Sequence, residues 1–216
     1  MRLDVPIGDP RFGLAQACSC GIAFRRQIAA LDDALHYTAE MQTERLSDHD
    51  RVDGHEAAYN AVRDYIEQPC GWLYLYGPFG DGKTTLLMAA INGLRAAGYL
   101  AVLAVVPELL DWLRAAFEPA NARSFDGDFN MVKNIPVLGL DDLGKEKPSP
   151  WVDEKLYELL NWRYRQHLPT IITANCHPKD LAQPALTSRF GDVMLCKTVF
   201  AGNKDLRTYR GRRPVR

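Results

Sequence analysis

The chain has 216 residues, 47% of them hydrophobic, enough to build a core for one ordinary α/β domain with a short extra segment. Its formal net charge of -1 selects no partner, but it conceals a basic end: from Ala201 onward Lys204, Arg207, Arg210, Arg212, Arg213 and Arg216 stand against Asp205 alone, leaving +5 there and -6 before it. No apolar stretch approaches the roughly 18 residues of a membrane span, and residues 1–10 lack a charged start followed by an apolar run, so a soluble, cytoplasmic protein is expected.

Cys18, Cys20, Cys70, Cys176 and Cys196 are odd in number and scattered, which fits reduced thiols better than a disulfide framework. The CSC pair at Cys18 and Cys20 needs two further ligands to hold zinc. His36 is a third at best and no fourth is nearby, so no zinc site is expected.

In chain order, residues 1–50 open irregularly and then read RRQIAALDDALHYTAEMQTERL, a predicted helix with Ile28, Leu31, Leu35 and Ala39 on one face. This segment is expected to be an appendage that docks on a partner or on the core. From His55 strands and helices alternate: helix EAAYNAVRDYIEQ, strand WLYLY, a glycine loop, helix TTLLMAAINGLRAAG, strand LAVLAVV and helix PELLDWLRAAF. A polar stretch over 124–133 precedes strand PVLGLDD, helix WVDEKLYELLNWRYRQH, strand TIITAN, helix PKDLAQ, a short helix at ALTSRF and strand VMLCKTVF. Such alternation implies crossover connections and a parallel sheet covered on both faces. Ser149 before Pro150 is the expected N-cap of the helix over 151–167, whose apolar stripe is Val152, Leu156, Leu159, Leu160 and Tyr164.

Residues 77–84, GPFGDGKT, satisfy G-x-x-x-x-G-K-[ST] between a strand and a helix, the context a phosphate-binding loop requires. Gly77, Gly80 and Gly82 let the backbone curl so that successive N–H groups point inward, with Pro78, which has no N–H, Phe79 and Asp81 completing the loop between them. Lys83 brings a charge for the β and γ phosphates, Thr84 a hydroxyl for Mg²⁺, and Thr85 continues a helix start whose dipole favours anions. Asp81 is expected to point outward to solvent and to weaken binding little. About sixty residues on, VLGLDDLG is a buried strand ending in two carboxylates, Asp141 on the metal side and Asp142 placed to polarise an attacking water. Guanine recognition by N-K-x-D fails, because NKDL at 203–206 has its Asp one position early, and an LSGGQ is absent. The expected ligands are therefore ATP and Mg²⁺.

With GPFGDGKT, GLDDLGKEKPSPWVDEKLYELLNWRY, LPTIITAN and SRF in this order, the chain resembles the AAA+ ATPases of the DnaC helicase-loader and IstB transposition-helper group over about residues 57–207. The resemblance implies a P-loop NTPase with a five-stranded parallel sheet in the order 5-1-4-3-2, helices on both faces and no full C-terminal lid. It implies three divisions: residues 1–50 for partner docking, an ATPase core over 51–207 and a basic tail over 208–216. It also implies self-association into a ring or spiral with ATP at subunit interfaces. Asn175 resembles the sensor-1 residue beside Asp142, Arg189 the arginine finger reaching a neighbour's site, and Arg207 the sensor-2 arginine. Asp142 departs from the glutamate that most AAA+ proteins carry there, although a DD pair occurs in this group. The opening DVPIGDPRFGLAQACSC is similar to members whose CxC completes a zinc ribbon begun by an upstream CxxC; that half is missing here, so the pair is a remnant or the chain begins late.

Two uses of this engine follow from the resemblance. One is loading a hexameric replicative helicase onto single-stranded DNA, the leading expectation; the other is an IstB-like role with a transposase on duplex DNA. The basic tail and Arg114, Arg123 and Lys133 of the 107–133 segment are the expected DNA contacts, with the strong salt dependence of phosphate binding. A nucleotide-dependent adaptor with little hydrolysis is the expectation of another class. A small-molecule kinase would need an acceptor pocket and an Arg-bearing lid, which the sequence lacks.

Overall fold

A computed structural model of the chain describes residues 19–49, 54–118, 123–181 and 183–206. Cys18, Arg207 and the rest of the basic tail beyond it lie outside the described residues. The elements are α1 (Ser19–Ala34), α2 (Glu56–Glu67), β1 (Trp72–Tyr76), α3 (Lys83–Ala96), β2 (Ala101–Val105), α4 (Val106–Ala115), α5 (Phe125–Lys133), β3 (Val137–Leu143), α6 (Pro150–Arg165), β4 (Thr170–Ala174), α7 (Pro184–Phe190) and β5 (Cys196–Phe200), with short 3-10 turns between some of them.

All five strands are parallel, in the order β2-β3-β4-β1-β5, which is the expected 5-1-4-3-2 seen from the other edge. β1 lies inside the sheet between β4 and β5, with both faces covered, which is why WLYLY is apolar without interruption. Its side chains still alternate: Trp72 and Tyr74 enter a core shared with α1, α4, α5, α6 and α7, whereas Leu73 and Leu75 enter the opposite core with α2 and α3. Leu138, Leu140 and Ile172 join the first core, and Leu103 and Ile171 the second. Truncating a central side chain such as Leu75 to alanine should cost about 2–5 kcal/mol.

Three helices end in the same closure. After α1, the His36 N–H donates to Asp33 O and the Tyr37 N–H to Asp32 O at 2.8 Å, with His36 at φ 55. After α3, Gly98 (φ 93) holds the left-handed position; after α6, His167 (φ 50) does, with Leu168 N–H on Arg163 O at 2.9 Å. Histidine in place of glycine is why the sequence pattern runs the first helix through Ala39 to Leu46, residues that the structure places in turns and short 3-10 segments after α1 has ended.

The remaining differences are local. Leu31 and Leu35 of the expected appendage pack into the first core and Tyr37 into the second, and Arg95 of α3 pairs with Asp32 at 2.7 Å. The polar stretch over 124–133 is helix α5, capped by Ser124, with Phe129 and Val132 buried. The expected helix PKDLAQ is a single 3-10 turn, Pro178–Asp180, and β5 begins at Cys196 rather than Val193, leaving Val193 and Met194 exposed.

Candidate nucleotide site

The glycine loop leaves the end of β1 and enters α3. Gly80 (φ 83) and Gly82 (φ 84) both occupy the left-handed region, and both are crowded from outside. A Cβ at Gly82 would sit 2.8 Å from Leu206 Cδ1, and one at Gly80 would strike the Asp205 carboxylate. The chain after β5 therefore lies directly on the loop: the Ala201 N–H donates to Tyr76 O and the Leu206 N–H to Gly80 O, each at 2.8 Å. Asp205 and Leu206 are site-forming residues that sequence reasoning missed, because nothing in NKDL marks it as loop packing.

Lys83 Nζ donates to Gly77 O at 2.9 Å, Pro78 O at 2.7 Å and Asp81 Oδ1 at 2.8 Å. Asp81 is thus not on the outer side of the loop, as expected, but 1% exposed inside it. The cause is local. The Lys83 backbone N–H, two residues on, donates to Asp81 Oδ1 at 3.3 Å, an Asx-type turn that folds the carboxylate inward toward the ammonium. Thr85 does not aim its hydroxyl into the cleft alone; Oγ1 donates to Gly82 O at 2.8 Å.

Next to the loop, Asp141 Oδ1 accepts from Thr84 Oγ1 at 3.1 Å and from Thr173 Oγ1 at 2.5 Å. The Asp142 N–H in turn donates to Thr173 Oγ1 at 3.0 Å. Thr173, a hydroxyl inside a fully buried strand, sets both aspartates; its signal in TIITAN was a polar group among apolar ones that had to find a partner. The β3–β4 register breaks between Leu140 and Leu143, and Asp142 has φ 59. In a regular strand the two carboxylates would face opposite sides; this irregularity brings both to the end of the sheet by the loop. Burial, with the neighbouring Asp142 adding to it, pushes the Asp141 carboxyl above its ordinary range, against the hydrogen bonds from Thr173 and Thr84.

An open cleft results, walled by Phe79, the 80–85 backbone and side chains, Asp142, Asn175 and Leu206. Asn175 Nδ2 is buried without a hydrogen-bond partner, a donor held ready at the wall. Thr84 Oγ1 and the Asp141 carboxylate are adjacent hard oxygen donors, which suits Mg²⁺. Arg189, by contrast, is not at this cleft. On α7, it donates to Asn161 Oδ1 at 2.6 and 3.1 Å and to Tyr157 OH at 3.0 Å, with its guanidinium 4.8 Å from the Tyr157 ring centroid. The three expected DNA cations of the 107–133 segment are likewise engaged inside the chain. Arg114 pairs with Asp111 and lies over Trp151, Arg123 lies over Trp112 and pairs with Asp128, and Lys133 pairs with Glu158.

No family model matches the chain. It is 35% identical over 156 residues to the replicative helicase loader DnaI of Bacillus subtilis, across 71% of this chain and 49% of the relative, so the chain spans about half the length of that loader. The crystal structure of the DnaC helicase loader shares the fold at a TM-score of 0.65 and 22% identity, covering 76% of this chain and 99% of that one. A structure of the replication initiator DnaA bound to AMPPCP and single-stranded DNA shares it at 0.66 and 21% identity, covering 80% of this chain and 56% of that one. With its glycine loop, its paired aspartates and its 5-1-4-3-2 sheet, the chain has the P-loop AAA+ fold and is similar to the DnaC-type helicase-loader group.

Proposed function

We propose that the chain is an ATP-hydrolysing subunit that helps load a hexameric replicative helicase onto single-stranded DNA. The observation that carries this reading is the hydrogen-bonded run Thr84–Asp141–Thr173–Asp142 beside the glycine loop, in a chain 35% identical to a helicase loader. The DnaA relative that shares the fold holds an ATP analogue and single-stranded DNA, which supports the same two ligands here.

In this reading the N–H groups of the loop over 77–84 and the Lys83 ammonium hold the β and γ phosphates. Thr84 and Asp141 would hold magnesium, which, when bound, supplies positive charge to the phosphate oxygens. Asp142 accepts a hydrogen bond from the attacking water and Asn175 orients that water through its free amide N–H. The water oxygen bonds to the γ phosphorus while the bond to the β–γ bridging oxygen breaks, giving ADP and phosphate, the water's proton ending on the phosphate. Arg189, away from its own cleft, serves a neighbouring subunit's phosphoryl group in an assembled ring or spiral. Arg207 is proposed as a contact to the subunit's own nucleotide.

The test is capture of partners by the chain with ATP and with ADP, using the host's hexameric helicase and co-encoded transposases as separate preys. Nucleotide-dependent capture of the helicase is expected. Capture of a transposase alone would move the reading to an IstB-like helper, and full loading by Asp142→Asn would make the chain an adaptor that does not need hydrolysis.

A further inference from the structure

We propose that Asp81 is an internal anion that competes with nucleotide phosphates for Lys83, so that it lowers affinity for a triphosphate more than for a diphosphate. The proposal rests on the nucleotide reading above. An ammonium has three N–H donors. All three of Lys83 are taken, by Gly77 O, Pro78 O and Asp81 Oδ1, at 2.7–2.9 Å. A phosphate can therefore reach Lys83 only by displacing one of them.

The acceptors are not equivalent. Letting go of a carbonyl gives up a neutral hydrogen bond and leaves the ion pair intact. Letting go of Asp81 strands a carboxylate that is 1% exposed, whose Oδ2 already has no hydrogen-bond partner and whose Oδ1 would keep only the Lys83 backbone N–H. A Cβ at Gly77 would strike Asp81 Oδ2, so the loop gives the carboxylate no room toward that residue. Either way the negative charge stays inside the loop that must wrap the phosphates. Each further phosphate charge is repelled by it at short range and low effective dielectric, an effect on the order of ten- to a hundred-fold in affinity for the triphosphate.

Titrations of the full chain with fluorescent ATP and ADP in Mg²⁺ test this, with wild type, Asp81→Asn and Asp81→Ser compared after thermal melts establish which are folded. A neutral residue at 81 should tighten ATP about ten-fold or more and ADP by less, so that the ATP-to-ADP preference rises; a residue that only supported the loop would weaken both. A folded neutral variant that binds ATP no tighter than wild type overturns the proposal while leaving the nucleotide reading intact. If neither variant folds, wild type alone decides: ATP preferred to ADP by less than about ten-fold is expected, and a larger preference overturns the proposal. Binding of neither nucleotide by wild type overturns both.

Discussion

Among the described residues, two of the buried cations, Arg163 and Lys83, lie at opposite ends of the sheet and are held in different ways. Arg163 of α6, 0% exposed, sits where β3 and β4 begin and donates to Thr170 Oγ1 at 2.9 Å, Ile135 O at 2.8 Å, Lys133 O at 3.2 Å and Pro169 O at 2.6 Å. All these acceptors are neutral. Burial pulls its pKa down to about 9, which still leaves it charged at neutral pH. Lys83, where β1 ends, has one anion among its three acceptors. In the proposed nucleotide reading an incoming phosphate competes for Lys83 with acceptors of its own loop, Asp81 above all, whereas nothing in solution replaces four fixed acceptors belonging to the chain. One end of the sheet is thus a fastening and the other an exchange site. Arg189 is an intermediate case, half-buried on neutral acceptors, Asn161 Oδ1 and Tyr157 OH, that a neighbouring phosphoryl group could outbid.

The largest effect is expected at Lys83. Lys83→Ala should abolish ATP binding in an equilibrium titration, and unchanged affinity would put the exchange site elsewhere. Arg189→Ala should leave ATP binding intact and lower hydrolysis about 10³-fold at protein concentrations where wild type assembles; steady-state turnover that does not change would return Arg189 to a packing role. Arg163→Met should lower unfolding free energy by about 2–5 kcal/mol in urea, because several buried acceptors lose their donor, with the nucleotide affinity of the folded fraction unchanged. Arg163→Lys should not restore it, because an ammonium cannot span acceptors arranged for a planar fork; full recovery would mean that charge alone fastens this end.

The smallest effect concerns Asp141. Its folded pKa lies above the unfolded value, so the folded state holds a proton the unfolded chain has lost, and stability falls as pH rises from the unfolded pKa through the raised one. Asp141→Asn removes this penalty. The variant should melt higher than wild type at pH 7 in a thermal scan, and the gain should vanish below the unfolded pKa. A variant that melts lower at pH 7 would show that the bonds from Thr84 and Thr173 outweigh the burial of the charge.

The exchange end was the more legible of the two in the sequence. Phosphate binding needs particular residue types at fixed spacing along one loop, so GPFGDGKT and the DD after an apolar strand disclosed themselves locally. The orientation of Asp81 did not, because it is set by a side-chain turn to the Lys83 N–H that the loop pattern does not specify; nor did Asp205 and Leu206, which reach the loop from more than a hundred residues away. The fastening end was nearly silent: Arg163 looked like one more polar residue on an amphipathic helix, since its acceptors come from α5, β4 and the turns before β3 and β4. Helix α5 was hidden by FDGDFN, whose glycine and acids masked the helical spacing of Phe125, Phe129 and Val132. The end of α1 was hidden because histidine, not glycine, turns the chain.

The segment after β5 hangs from Tyr76 O and Gly80 O and fills the space that side chains at positions 80 and 82 would need. Residues 201–206 and the glycine loop therefore pack as one part: the Gly80 carbonyl and the Leu206 amide are tied by a hydrogen bond, so neither can shift without disturbing the other.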